Sequence, residues 1–460
     1  MTPETEDTIA AIATAGGQGG VGIIRISGPE ALQAARTIIS DSSLTFKPRR
    51  ATLCNFKSVA SDQIMDHGLV IYFPGPHSYT GEDVLELNCH GSPLLLDTLL
   101  ADILTENDVR LAEPGEFTRR AFSNNKIDLA QADAVAGLIS ARSRAALKAE
   151  ARQLNGELSC LVSQLRETLI YCRSRLEATL DFDEHDQIGE LPTGQLKSKL
   201  KQVLSEIENL IQEGQTGKLL SEGCYTAIVG KPNVGKSSLF NSLLAQQRAI
   251  VTTQPGTTRD ILRDQLIVEG IPFLLHDTAG IRNATDQVET IGVERSEKAI
   301  HEADLVIFLL DQSRPLNEED DYIKKLATNK NYLTVINKTD LDLNFNEKDL
   351  EKRYGIDPDC KICANTGKGL NKLKRLMLDR VKTTDIQVES PLVTKQRHIN
   401  QLEIASRAID NALEGLEKNR DTVLIAEDLR EASEATARIT GTITTDDILD
   451  EIFSNFCIGK

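Results

Sequence analysis

Apolar and polar positions follow one another in three styles along this chain, and the changes of style mark its parts. Near the start, "TIAAIATA", "GGVGIIRISG" and "DHGLVIYFPG" read as strands, with "EALQAARTII" and "PLLLDTLLADIL" as helices between or after them. This predicts an α/β domain over residues 1–121. Its cluster Gly16, Gly17, Gly19, Gly20 and Gly22 has no Lys-Ser after it and reads as a turn. From 131 to 180 the period becomes helical: Leu154, Leu158, Leu161, Leu165, Leu169, Cys172, Leu176 and Leu180 recur at steps of four and three, predicting one face of a long helix in a bundle core. "LKSKLKQVLSEIENLIQEG" continues that style to about residue 214, and "RHINQLEIASRAIDNALEGL" and "LIAEDLREASEATARITG" resume it late in the chain. Between them, from "CYTAIVG", short apolar runs alternate with amphipathic segments, as in parallel α/β units. The economical reading is a discontinuous helical domain of two segments, 122–218 and 383–460, interrupted by an inserted α/β domain over 219–382. The fold class expected is multidomain, α/β plus all-α.

Length and composition agree with that division. At 460 residues the chain exceeds one ordinary core, and 40% apolar with 26% charged residues is a globular balance. Trp is absent and aromatics are 4%, so Leu, Ile, Val and Ala must carry the packing. A net charge of -17 argues against indiscriminate binding to nucleic acid or anionic membrane, so RNA contact needs a local basic patch or a partner. "ARSRAALKAEAR" at 141–152 and Arg119 with Arg120 are the candidate patches. The start "MTPETEDTIA" is acidic and polar, and no run approaches 18 apolar residues, which predicts a cytoplasmic protein without a membrane span. Eight scattered cysteines argue against a disulfide framework, and "CKIC" at 360–363 lacks the second ligand pair that zinc needs. Cys457 stands fourth from the end, where a prenylated cysteine would stand. However, "CIGK" has Gly459 in place of an aliphatic residue and ends in Lys460, which argues against a lipid anchor.

The inserted domain carries readable chemistry. "GKPNVGKSS", residues 230–238, follows the strand-like "TAIV" and precedes the helical "SLFNSLL". In that context the loop through Asn233, Val234, Gly235 and Ser238 turns backbone N–H groups toward phosphate oxygens. Lys236 reaches the terminal phosphates and the Ser237 hydroxyl can ligate magnesium. "VINKTD" at 335–340 offers Asn337, Lys338 and Asp340, the NKxD arrangement that reads guanine. A carboxylate at Asp340 accepts from two guanine N–H groups, whereas adenine would leave it unpaired, so the nucleotide is GTP. The third base-contacting loop, usually Ser-Ala, is "CAN" here: Cys363 is expected to donate little, Ala364 to offer its N–H, and Asn365 follows. "GTTRD" places Thr258 to complete the magnesium shell. "DTAG" places Asp277 near magnesium, then Thr278 and Ala279, and the Gly280 N–H near the terminal phosphate. Ras-type GTPases carry a Gln after that glycine to orient the attacking water, but this chain has Ile281, so the water must be positioned otherwise. Asn233 stands where a monovalent cation site can form, no arginine finger is evident, and Glu289 in "NATDQVETIG" is by itself an ordinary acidic surface residue.

Together, "GGVGIIRISG", "SYTGEDVLELNCHG", "EPGEFTRRAFSNNKIDLAQADAVAGLI", "GKPNVGKSSLFNSL", "TQPGTTRD", "DTAGIR" with "VETIG", and "CIGK" resemble one family over essentially the whole chain. It is the family of bacterial and organellar tRNA modification GTPases of the MnmE (also TrmE) type. The resemblance implies an N-terminal folate-binding domain that dimerises, a two-segment helical domain and an inserted P-loop GTPase. It also implies a homodimer that forms a heterotetramer with a flavin (FAD)-dependent partner. Such a complex installs an aminomethyl or carboxymethylaminomethyl group at C5 of the wobble uridine of certain tRNAs, with a one-carbon unit from 5-formyl- or methylene-tetrahydrofolate. On this resemblance Arg25, Glu82, Lys126 and Lys460 match folate-holding positions. Asn233, Thr252, Gln254 and Thr257 match the ligands of a potassium ion that replaces an arginine finger, a charge worth roughly a thousand- to a hundred-thousand-fold in rate. Thr253, Gln254 and Pro255 stand in a variable part of that loop. Glu289 matches the residue that orients the water through a bridge, and Cys457 matches the modification-site cysteine, with its chemical role open. The nitrogen donor, ammonium or glycine, is also open. A rival reading is a ribosome-assembly GTPase without RNA-modifying chemistry; it would be expected to carry a KH-type or strongly basic RNA module, and neither is found in the chain.

Overall fold

The structure, a computed structural model, describes residues 7–105, 108–178, 193–248, 265–277, 297–381, 391–454 and 456–460. They form two compact units, one of Met1–Ala136, Gln153–Val203 and Arg407–Lys460, the other of Gly137–Arg152 and Leu204–Ser406.

The first unit opens with β1 (Thr8–Ile12), β2 (Gly19–Ser27), α1 (Ala31–Thr37), β3 (Thr52–Lys57), β4 (Ile64–Phe73), β5 (Val84–Gly91), α2 (Pro93–Ile103) and β6 (Val109–Leu111). The strands lie in the order β3-β4-β5-β2-β1-β6, antiparallel except for β1 beside β6. Period-two alternation sends Ile24, Ile26, Leu85, Leu87 and Val70 to one face, where they are buried with Ala31 and Ala35 of α1 and with Leu96, Leu99 and Ile103 of α2. The other face keeps Arg25 and Glu86, which are register partners across β2 and β5. The glycine cluster is a turn only at its start, because Gly19, Gly20 and Gly22 belong to β2, at a bulge between Gly19 and Gly22.

Helices follow: α3 (Glu116–Ser123), α4 (Leu129–Ser140), α5 (Arg144–Leu154), α6 (Glu157–Glu177) and α7 (Thr193–Glu222), of which most of α5 and α7 belongs to the second unit. The leucine series predicts one long helix, but the chain breaks at Gly156, whose φ of 82° is left-handed and precedes the first turn of α6. Within α6 the 3.6-residue period holds: Leu158, Val162, Leu165, Leu169, Cys172 and Leu176 are its buried stripe. The helix Thr422–Thr440 packs along α6 with Ile425, Leu429, Ala432, Ala435 and Ile439 buried, the small side chains allowing close approach. The last helix, Asp446–Ser454, leads into the C-terminal tail, and Phe453 and Phe456 pack with Leu129 and Ala132.

In the second unit the chain runs through β7 (Cys224–Val229), α8 (Lys236–Arg248), β8 (Gln265–Val268), β9 (Ile271–Asp277), β10 (Leu305–Asp311), β11 (Tyr332–Asn337) and β12 (Cys360–Lys361). The sheet order is β12-β11-β10-β7-β9-β8, parallel except for β8 against β9. β10, "LVIFLLD", is buried at every position, as a central strand covered on both faces must be. One face packs Ile228, Ile307 and Leu309 with Leu239 and Leu243 of α8, and the other packs Val306 and Phe308 with Ala327 and Leu350. The helices Glu318–Ala327 and Glu347–Tyr354 start with capping boxes, Asn317 with Asp320 and Asn346 with Asp349. The loops that follow β7, β10 and β11 lie at the carboxyl ends of neighbouring strands, where open α/β sheets bind ligands. No described helix is long and apolar enough to cross a membrane.

Candidate functional site

The loop from β7 to α8 is the phosphate loop read in the sequence, and the loops after β10 and β11 hold it in shape. Gly235 has φ 99°, and a Cβ built there would overlap the Asn337 amide nitrogen, so glycine alone lets this backbone pass so close to the base-reading residue. Asn337, only 2% exposed, bridges two loops. Its Nδ2 donates to Val234 O at 2.9 Å, and its Oδ1 accepts from Ala364 N at 3.0 Å. Lys338 Nζ donates to Asn233 O at 2.7 Å and pairs with Asp311 at 2.6 Å. Burial would raise the Asp311 carboxyl, but Lys338 and the hydroxyl and N–H of Ser313 outweigh it and hold the group below the usual carboxylate range.

Lys236 Nζ donates to the carbonyls of Gly230 and Lys231 at 2.8 and 2.9 Å, so its ammonium sits over the loop. Ser237 is exposed in the first turn of α8 with Ser238 beside it, Asn233 is exposed on the loop, and Val234 is sunk into the core. Asp340 and Asn365 are exposed. Two residues of the third loop have partners within the protein. Cys363 is a donor, its Sγ 3.1 Å from Asp340 Oδ1, and the Ala364 N–H is committed to the buried amide oxygen of Asn337, which needs a partner there. Thr252, Thr253, Gln254, Pro255, Thr257, Thr258, Thr278, Ala279, Gly280 and Glu289 lie outside the described residues. Asp277 closes β9, with its side chain outside the described part.

The first unit assembles a second site from distant residues. Arg25 donates from Nε and Nη2 to Glu86 Oε1 at 3.0 and 2.8 Å, and from Nη1 to Gly459 O at 3.3 Å. Its guanidinium lies 5.5 and 5.6 Å from the ring centres of Tyr79 and Phe117. Gly459, at φ 93°, is pressed against the backbone of Ile12 and Ala13, where a Cβ would overlap. The Cys457 carbonyl accepts from Gly115 N at 3.5 Å while the residue itself is exposed, and Lys460 is half-buried. Glu82 accepts from Ser27 Oγ at 2.7 Å and from Arg120 at 3.1 Å, and Lys126 donates to Pro76 O at 2.8 Å.

Sequence reasoning missed the frame of this site. Arg120 is 4% exposed and pairs with Glu82, Glu116 and Asp7, while Arg110 pairs with Glu116 and Asp7. Arg120 is therefore a buried structural cation and not half of a basic patch, and Arg119 is paired with Asp450 at 2.9 Å. The acidic partners were visible as residues, but nothing local tells a surface carboxylate from one that meets a buried arginine. In the other candidate patch, Arg144 and Lys148 are exposed on α5.

Known proteins resemble the chain over nearly its whole length. A family described as "GTP-binding protein TrmE N-terminus" matches residues 8–126, and one described as "MnmE helical domain" matches residues 129–457. A tRNA modification GTPase MnmE of Alkaliphilus oremlandii is 41% identical over 460 residues, covering 99% of each chain. One from Dichelobacter nodosus is 44% identical over 464 residues, also covering 99% of each. Among solved structures, the Era protein of Aquifex aeolicus matches 40% of this chain and 66% of its own at 26% identity, with a TM-score of 0.27, too low to add to the argument.

Proposed function

The chain belongs to the family of tRNA modification GTPases of the MnmE type, and on that premise we propose that it is a potassium-activated GTPase that modifies the wobble uridine of certain tRNAs at C5. The Asn337 bridge carries the nucleotide half of this reading, since it joins the phosphate loop to the loop that presents Asp340, so that one ligand with phosphates and guanine satisfies both. Lys236 neutralises charge on the terminal phosphate, and Ser237 with Thr258 holds magnesium. Asn233, with its carbonyl fixed by Lys338 and the residue exposed, holds potassium together with Thr252, Gln254 and Thr257. Bound cations supply positive charge where the transferring phosphoryl group develops negative charge. Glu289 orients the attacking water.

Arg25 supports the folate half, because it reaches the tail beside Lys460 and so brings Cys457 to the same corner of the first unit. Arg25, Lys126 and Lys460 hold a tetrahydrofolate carrying a formyl or methylene carbon, and Glu82, already oriented by Ser27 and Arg120, faces its polar ring. The same proposal includes the domain division at 121, 218 and 382, the homodimer, the heterotetramer with an FAD-dependent partner, and a cytoplasmic location.

Mass spectrometry of tRNA nucleosides from cells with and without the gene tests the reading. Aminomethyl-type wobble uridines should vanish on deletion and return with the intact gene but not with Cys457→Ser. Unchanged wobble uridines would overturn the modification function and turn attention to ribosome assembly. Hydrolysis by the purified chain should fall about a thousandfold or more when sodium replaces potassium at equal ionic strength, a loss of the order of a missing arginine finger.

A further inference from the structure

The phosphate loop contains a second lysine that faces away from the nucleotide side. Lys231 Nζ lies 2.6 Å from Asp320 Oδ2 and donates to Pro315 O at 3.2 Å. Lys231 is 8% exposed and Asp320 is fully buried. Asp320 is the third residue of the helix Glu318–Ala327, and the same Oδ2 accepts from Asn317 N at 3.0 Å, closing the capping box. The ion pair is thus anchored at a helix start whose own geometry is fixed.

Stability alone is a poor reason for such a pair, because apolar residues of similar volume often serve a core as well as two buried charges do. A buried pair does impose one separation and one direction on the backbone that carries it. Here the carrier matters, since the Lys231 carbonyl accepts from Lys236 Nζ at 2.9 Å. Lys338 fixes the Asn233 carbonyl and Asn337 fixes the Val234 carbonyl, but both act on the later part of the loop. Lys231 and Asp320 clamp its first turn, and Asp320 lies outside every nucleotide-binding motif of the sequence.

We propose that Lys231 and Asp320 are positioning residues for GTP hydrolysis: their ion pair sets the first turn of the phosphate loop so that Lys236 Nζ is aimed at the terminal phosphate. This rests on the GTPase reading above. The variants are Asp320→Asn, Lys231→Met, the double variant, Lys231→Arg and Lys231→Gln in the full chain. The measurements are GTP turnover, binding of GTP and ITP, and thermal unfolding. The single variants Asp320→Asn and Lys231→Met should unfold earlier and lose about tenfold in kcat, as a displaced catalytic group does. The double variant, with no unpaired buried charge, should recover its unfolding temperature but keep the tenfold loss. The GTP-over-ITP preference should stay unchanged, because Asp340 is untouched. Lys231→Arg should keep wild-type turnover. Lys231→Gln, which keeps a donor without the charge, should lose about threefold and covers the case in which the double variant does not fold. A double variant or Lys231→Gln with wild-type kcat would reduce the pair to a structural contact and overturn the proposal. So would a kcat loss that always came with loss of GTP-over-ITP preference. A wild-type chain that fails to hydrolyse GTP would refute the GTPase reading instead.

Discussion

The nucleotide site of the second unit and the tail site of the first bind their parts together in opposite ways. In the nucleotide site, three contiguous motifs are held by hydrogen bonds between side chains and backbone: Asn337 donates to Val234 and accepts from Ala364, Lys338 donates to Asn233, and Lys236 donates to Gly230 and Lys231. Each motif brings its own strand end, and the sheet order brings the ends together. In the tail site, single residues meet across great chain distance: Arg25 touches Gly459, 434 residues away, and Arg120 gathers Glu82, Glu116 and Asp7. The first kind of site depends on backbone shape. The second depends on charge balance around a buried arginine.

Perturbations chosen for one mechanism should therefore spare the other. Arg120→Met should have the largest effect, because it leaves Glu82, Glu116 and Asp7 without their shared cation and should destabilise the first unit by about 3–5 kcal/mol. Hydrogen exchange resolved by segment should show the loss in β1 to α3 while GTP affinity stays within about twofold. A matching loss of GTP binding would mean that the two sites are not independent. Gly235→Ala should do the reverse: strain at φ 99° costs about 1–3 kcal/mol, and the added methyl displaces Asn337, so GTP affinity should fall about 10- to 100-fold in a nucleotide titration. Thiol labelling of Cys457, a report on tail docking, should then keep its wild-type rate.

Acid should act on the first unit in a direction set by Glu116. Burial would raise this carboxyl, but Arg110, the Glu113 N–H and Arg120 together hold it below its usual value. Because the folded state binds the proton more weakly than the unfolded chain, its stabilising contribution is complete above the ordinary glutamate range. It is lost as pH falls through the depressed value. Unfolding measured between neutral and acid pH should show this slope, and Glu116→Gln should flatten it. The smallest effect is expected at Cys363: serine replaces one donor to Asp340 by another, so Cys363→Ser should change GTP affinity by less than about threefold.

The motifs of the nucleotide site are legible because their chemistry is local, although Thr258, Gly280 and Glu289 lie outside the described residues. Gly235, Lys236, Asn337 and Asp340 each sit in a motif whose spacing already implies a strand, a turn and a helix. The strands β3 and β5 were missed because "TLCNFK" and "VLELNCHG" hold only three or four apolar positions each, too few for the alternation to stand out. The leucine series is a buried face at Leu158, Leu165, Leu169, Cys172 and Leu176, while Leu154 and Leu161 are half-buried and Leu180 lies outside the described residues; it is not one helix, since Gly156 breaks the helix without disturbing the spacing.

By itself, then, the amino-acid order determined the fold class, the family and the presence of a GTPase, because period and motif are properties of neighbours along the chain. It could not bury Arg120 beside three carboxylates, bring Gly459 to Arg25, make Cys363 a donor to Asp340, or pair Lys231 with Asp320. Those contacts depend on which strand lies beside which and on how much water is excluded between them. Only the packed sheets and helices settle either.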